Sequence, residues 1–266
     1  MSEAEDDILV DIADEDLPKL AKIYESHKDW APHAYSTITT GIEWKKKSGG
    51  KYMTFIFDVF IFTLNETGEN VYDALMKTRR LETNFSDRPR LFYSIHNKLY
   101  PAVFKALKER KIEIYAEIPC YLYAIPKEEA LKFDVECPPE VYIKQLDKTD
   151  APVISALWPH RYKNADKFVE ILIEMNGGYG IFLKSSNELV SWALLSMMGQ
   201  LSLVQTVDDQ KKKGYASLIT KYLSKELAKK GHDALGTILV ENIVSQMMFE
   251  KLGFRSLGLC TFTLFR

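Results

Sequence analysis

An apolar run, Leu201 to Val207, passes through the lysine-rich turn Gln210-Lys211-Lys212-Lys213-Gly214-Tyr215-Ala216 straight into a helix with a clear start. Tyr215, Leu218, Ile219, Tyr222, Leu223 and Leu227 recur at spacings of three and four, the pattern of an amphipathic helix with one buried stripe, and Gly231 closes it. Strand, turn and helix in immediate succession ask for a fold in which helices pack on a sheet. The first helical turn lies at Lys213 to Ala216, where backbone N–H groups lack internal partners and the peptide dipole is positive, so an anion docks there readily. Gly214 and Ala216 leave room for a diphosphate and three lysines add charge, although the same residues also suit an ordinary solvated turn.

A chain of 266 residues can bury a sizeable core, as one large or two small domains. Hydrophobic residues at 46% and charged residues at 27% fit a globular protein, and a net charge of −2 with an acidic cluster from Glu3 to Asp16 argues against nucleic acid as a partner. Cys120, Cys137 and Cys260 lack metal-ligand or framework spacing, so neither a metal site nor a disulfide scaffold is expected. Apolar runs such as Phe55 to Leu64 are too short to cross a bilayer, so no membrane is expected as a partner. The terminus shows no signal pattern. The expected compartment is cytoplasmic, with a mitochondrial one left open.

Helices are predicted near Leu17 to His27, Ala31 to Lys47 and Asn97 to Arg110, and strands over Tyr52 to Leu64 and Ile112 to Ile125, with Thr83 to Ile95 ambiguous. Cys137-Pro138-Pro139 breaks the pattern and marks a boundary between a mixed α/β domain, 1–137, and a second domain, 138–266. Beyond it the expected order is a strand at Val141 to Leu146, helices at Asp150 to Leu157 and Ala165 to Met175, and strands at Tyr179 to Lys184, Leu189 to Ser196 and Leu201 to Val207. Turn residues at Ser185-Ser186-Asn187 and Met198-Gly199-Gln200 make those three strands antiparallel neighbours. After the helix from Gly214 come a strand Ala234 to Val240, a helix Ile243 to Leu252 and a strand Arg255 to Phe265. The fold class is α/β (α+β), a mixed and mostly antiparallel sheet flanked by helices.

Two motifs then fall in order about thirty residues apart. Lys211-Lys212-Lys213-Gly214-Tyr215-Ala216 follows the Gln/Arg-x-x-Gly-x-Gly/Ala pattern with Lys in first place, and Asn242-x-x-Ser245-x-x-x-Phe249 precedes Gly253-Phe254. On these residues the stretch from Val141 to Arg266 resembles the GNAT superfamily of N-acyltransferases. With Val190 to Leu195, Gly199, Leu157-Trp158 and the loop to Ser217, it looks most like the glycine N-acyltransferase-like group. The N-terminal half carries no such motif; a degenerate copy of the same unit is one reading of it.

The resemblance implies an acetyl-CoA or other acyl-CoA co-substrate, no metal, and a small amine or amino acid such as glycine as acceptor. It puts the diphosphate on N–H groups from Lys212 to Ser217 with Lys211, Lys213, Gly214, Tyr215 and Ala216, and the pantetheine along Val204, Gln205 and Thr206 like an added strand. A backbone N–H near the end of that strand would polarise the thioester carbonyl. Asn242 would bond the pantetheine amide with Ser245 close by, and Asn242 also suits a helix N-cap. Asp209, with Asp208 adjoining, is the expected base, two neighbouring carboxylates being able to raise each other's pKa; the alternative is a pair of solvated turn residues. Glu241 is a third choice. Where many relatives have a proton-donating Tyr, this chain has Phe249, which cannot donate. Tyr215 and Tyr222 could serve instead, though such residues more often pack; His160 and Arg161 lie in a loop that in this fold usually borders the acceptor site and could contact a substrate carboxylate, with a plain surface loop the favoured reading; Trp192 and Cys260 read as core. A non-catalytic acyl-CoA-binding module and a protein-directed acetyltransferase are the competing readings.

Overall fold

The structure is a computed structural model that describes residues 7–49, 58–65, 67–81 and 90–266. Nine strands form one sheet, flanked by nine helices among the described residues. In chain order these are α1 (Leu17–Glu25), α2 (Pro32–Ser48), β1 (Asp58–Val59), α3 (Glu69–Lys77), β2 (Arg90–His96), α4 (Tyr100–Glu109), β3 (Ile114–Ile125), α5 (Lys127–Ala130), β4 (Val141–Gln145), α6 (Ala151–Leu157), α7 (Ala165–Asn176), β5 (Gly178–Leu183), β6 (Leu189–Leu195), β7 (Leu201–Thr206), α8 (Tyr215–Lys229), β8 (Ala234–Leu239), α9 (Ile243–Lys251) and β9 (Arg255–Phe265). Of the strand expected over Tyr52 to Leu64, residues 52–57 lie outside the described residues and, of the rest, only Asp58–Val59 is strand; the ambiguous stretch Thr83 to Ile95 ends in β2, its residues 83–89 lying outside the described ones.

The sheet order is β1-β2-β9-β3-β8-β7-β6-β5-β4. Only β1 with β2 and β7 with β8 run parallel, so the mixed, mostly antiparallel fold class holds. From β4 to β7 the sheet is an antiparallel meander, as the two turns require: Asn187 and Gly199 both take positive φ, 59° and 71°. Glycine at 199 also answers a close approach, since a Cβ there would meet Thr40 Oγ1 at 2.3 Å and Ser36 Oγ at 2.6 Å.

The boundary drawn at Cys137 falls in the connection from β3 to β4, yet β3 lies inside the C-terminal strands, between β8 and β9. It pairs with β9 from Ile114 opposite Phe265 to Ala124 opposite Arg255, and with β8 from Cys120 opposite Leu239 to Ile125 opposite Ala234. The two halves share the sheet.

Both faces are covered. The α8 stripe, Tyr215, Ile219, Leu223 and Leu227, packs with Val190, Ala193 and Leu195 of β6 and with Phe249 and Phe254. On the other face Trp44 of α2, Ile154 of α6, and Val169, Leu172 and Ile173 of α7 pack with Trp192 and Leu194. Covered on both sides, β6 is buried at every position, which is why it reads as a continuous apolar run. A third cluster joins Val71 and Leu75 of α3, Val103 and Leu107 of α4, and Phe92 and Phe265. Helix α3 is not among the helices expected from the sequence, although its buried residues Val71 and Leu75 stand four apart.

Candidate functional site

The site is built where the sheet comes apart. Parallel β7 and β8 share one ladder position, Leu201 opposite Gly236. The facing edges of Ser202 to Thr206 and Thr237 to Leu239 do not pair with each other, leaving a fork at their C-terminal ends. Gly236 lets Phe249 pass beneath the hinge: a Cβ there would meet the Phe249 ring at 2.9 Å.

One arm of the fork is kinked. Trp192 faces Gln205 and Leu194 faces Ser202, so β7 carries an extra residue against β6, and Leu203 takes φ 48°. A leucine in the left-handed region costs about 1–3 kcal/mol, so the surrounding sheet imposes it. Such a bulge turns backbone polar groups out of the ladder. The kink falls at Leu203, the third of the six residues of β7 rather than near the end of the strand, and nothing in that residue type announces it.

Side chains on this arm are committed to the protein. Val204 packs against the core under α8. Thr206 Oγ1 lies 2.8 Å from Ser191 Oγ, which also donates to the Gln205 carbonyl at 2.9 Å. The Gln205 amide donates to the Leu157 carbonyl at 2.7 Å, tying β7 to the end of α6. What Val204, Gln205 and Thr206 offer the fork is their backbone, which suits an extended ligand added as a strand.

Beyond β7 a short 3-10 turn, Asp208–Gln210, leads into the lysine loop. Lys212 and Gly214 both take positive φ, 65° and 83°. Left-handed residues interleaved in a turn aim successive N–H groups to one side, forming an anion nest. The ladder of α8 begins with Leu218 N–H to the Gly214 carbonyl at 2.9 Å, so Tyr215, Ala216 and Ser217 bring their N–H groups to the helix start without an intrahelical acceptor. A Cβ at Gly214 would meet nothing within 4 Å, so the space before this terminus is open. Lys213 Nζ donates to Gln210 Oε1 at 2.7 Å, and Lys211 Nζ lies 2.5 Å from Asp208 Oδ1. Tyr215 is buried and donates to Glu140 Oε1 at 2.9 Å; burial and that carboxylate push its hydroxyl up to about 12. It anchors the loop, and Glu140 was not foreseen.

Asp208 departs from the expectation that a neighbouring carboxylate raises its pKa. The bond from Lys211, and its charge, hold the exposed Asp208 below the usual carboxylate range. The Asp209 carboxylate accepts from the neighbouring Gln210 amide at 3.0 Å.

On the other arm Asn242 Oδ1 accepts from Ser245 N–H at 3.1 Å, so Asn242 is the N-cap of α9. Gln246, which the sequence reading passed over, donates from one amide to the Leu239 and Val240 carbonyls at 2.9 and 2.8 Å and so fixes α9 against the end of β8. Phe249 is core, 4.6 Å from Phe254 and 5.9 Å from Tyr123 between ring centres. Tyr222 packs edge-on to Tyr179 at 4.9 Å. Glu241, His160 and Arg161 are exposed, the last bonded to the Ala156 carbonyl. Trp192 and Cys260 are buried, as expected.

Residues 178–263, from β5 into β9, match the family model of FR47-like protein. That segment contains both arms of the fork, the loop and the α9 cap. Along the whole chain the fold is similar to the X-ray structure of a Drosophila protein, with a TM-score of 0.83 at 15% identity, covering 98% of this chain and 99% of that one. A putative acetyltransferase from the GNAT family of Novosphingobium aromaticivorans matches over 58% of this chain and 66% of its own at 19% identity and a TM-score of 0.44. A GCN5-related N-acetyltransferase of Kribbella flavida matches over 62% and 64% at 17% identity and 0.42. A comparison with curated proteins found no match. No helix among the described residues is long and apolar enough to cross a membrane.

Proposed function

We propose that the chain is a coenzyme A-dependent N-acyltransferase that moves an acyl group from acyl-CoA to the amine of a small molecule, with an acyl-CoA site arranged like that of the glycine N-acyltransferase-like group. The observation that carries this reading is the fork between β7 and β8, opening directly beside the nest at Lys212 to Ser217. A diphosphate on the nest directs a pantetheine arm along the free edge of β7, and the thioester carbonyl reaches the bulge at Leu203. Asn242 and Ser245 border the arm from the α9 side. The amine nitrogen attacks the carbonyl carbon, the C–N bond forms, the C–S bond breaks, and the proton lost by nitrogen passes to a base while the thiolate leaves and is protonated. Asp209 is the proposed base; Asp208, held by Lys211, is a poorer proton acceptor. With Phe249 in the core, the leaving thiolate takes its proton from water, which a thiol pKa of about 8.5 allows. Residues 138–266 supply the acyl-CoA machinery, residues 1–137 cover the acceptor side, and the compartment is cytoplasmic.

Calorimetric titration with acetyl-CoA, followed by free-thiol release across a panel of acyl donors and amines, tests the proposal. Binding below high micromolar concentration and thiol release that depends on the amine are expected, together with a large fall in turnover for Asp209→Ala. No binding would end the acyltransferase reading. Unchanged turnover in both Asp209→Ala and Asp208→Ala would remove the base assignment. Binding without release with any amine would favour the second reading, an acyl-CoA-binding module, which the burial of Phe249 and the Lys211 clamp on Asp208 support.

A further inference from the structure

Two side chains with no part in the reading above are buried with every hydrogen bond unmade. His33 is fully buried with no partner at Nδ1 or Nε2, and Gln200 is fully buried with no partner at its amide nitrogen or oxygen. Trp192 Nε1 is in the same condition. Each such group left dry costs about 1–3 kcal/mol, and folded proteins satisfy nearly all of them.

All three turn to the same side of the sheet. His33, Ser36, Thr40 and Trp44 recur on one stripe of α2, and Trp44 packs in the cluster of Trp192 that Leu203 also joins. Ser36 Oγ donates to the Met198 carbonyl at 2.9 Å, and Gly199 lies against Ser36 and Thr40. Gln200 follows Gly199 and precedes Leu201, whose side chain packs under α8, so alternation along the strand sends Gln200 toward α2. Phe60 joins the two ends, its ring 5.6 Å from His33 and packed against the Trp192 cluster. These residues therefore lie across the sheet from α8, on the face that carries the Leu203 bulge.

We propose that His33 and Gln200 bind the acceptor, and that the acceptor is an amine bearing a neutral hydrogen-bonding group, a carboxamide or hydroxyl, rather than a free amino acid. The proposal rests on the acyltransfer reading. Burial, with His96 stacked at 5.8 Å, holds the His33 ring down to about 3, so it is an imidazole with one donor and one acceptor. Gln200 adds donors and an acceptor. A group that both donates and accepts satisfies the two together, whereas a carboxylate there gains no countercharge from either and loses its hydration.

Acetyl-CoA-dependent thiol release with paired acceptors, glycine against glycinamide and phenylalanine against phenylalaninamide, tests this on the full chain and on His33→Phe and Gln200→Met. With rates referred to the concentration of unprotonated amine, which is larger for the amides at a given pH, the amide of each pair should still exceed its acid about tenfold or more in kcat/KM, and His33→Phe and Gln200→Met should remove that preference. Both variants should raise the acceptor KM about tenfold, leave acetyl-CoA affinity within about twofold, and melt no lower than the parent at neutral pH, because an unpaired polar group has left the core. His33→Leu replaces the phenylalanine variant if that one does not fold. Preference for the acids, or variants that melt higher with acceptor KM unchanged, would overturn the inference alone. A parent chain that releases no thiol with any amine overturns the acyltransfer reading and this inference with it.

Discussion

Two seams join distant parts of this chain in one sheet, and they are built to opposite ends. Along β3 and β9 the ladder runs from Ile114 to Ala124, with Cys120, Leu122 and Cys260 fully buried on it. Between β7 and β8 it stops after Leu201 and Gly236. The first seam holds N-terminal and C-terminal halves together; the second forgoes backbone hydrogen bonds and leaves an edge free. Strand pairing is spent on stability at one seam and withheld at the other, beside the anion nest, where a ligand can supply what the sheet does not.

The largest effect is expected at the closed seam. Leu122→Asp would place an unpaired carboxylate among Cys120, Cys260 and Leu257 and should cost about 4 kcal/mol or more, read as loss of the cooperative melt. A chain that keeps its melting temperature would mean that β3 is dispensable to the sheet. Next comes acid. His33 ionises near 6.5 unfolded and about 3 folded, so between those values the unfolded chain binds the extra proton. Its contribution is complete above pH 6.5 and is lost on acidification, about 2 kcal/mol from pH 7 to 5. His96, which faces it and is also lowered by burial, acts with the same sign. Denaturant melts of the parent and His33→Phe at the two pH values check this, and a parallel pH dependence would exclude His33 as its source.

Effects at the open seam should be smaller in stability and larger in affinity. Gly214→Ala should cost about 1 kcal/mol through its left-handed φ of 83°, while its methyl group, meeting no protein atom, would stand in the proposed diphosphate site and should weaken acetyl-CoA binding by about tenfold. Gly214→Asn, which tolerates that φ, should recover part of the stability and none of the affinity. If it recovers both, the glycine serves the turn alone. Asn242→Ala should cost about 1 kcal/mol through the lost cap to Ser245 N–H, seen as a small drop in melting temperature.

The open seam was the more legible of the two. The stripe from Tyr215 to Leu227, the turn glycines, and Asn242 ahead of a short helix are local patterns, and local patterns survive in a single sequence. Partner choice does not: nothing between Ile114 and Ile125 tells a reader that β3 belongs between β8 and β9, because its partners lie more than a hundred residues on. Leu203 was hidden because leucine does not favour positive φ, so a conformation imposed by neighbours leaves no trace in residue type. His33 and Gln200 were hidden because a polar residue on a partly apolar helix, or in a turn, looks solvated until its burial is known. The carboxylates of Asp208 and Asp209 were visible, but the lysine one turn away that lowers the first was read only as a phosphate ligand.

The position of β9 has a consequence for how this protein is made. Strand β9 is wedged between β2 and β3, both of which are finished more than a hundred residues before it. Until Phe265 leaves the ribosome, two strands wait with bare edges, and bare edges invite pairing with other chains. A chain that stopped before Arg255 would keep both arms of the fork, the lysine loop and the α9 cap while leaving the middle of its sheet unfilled.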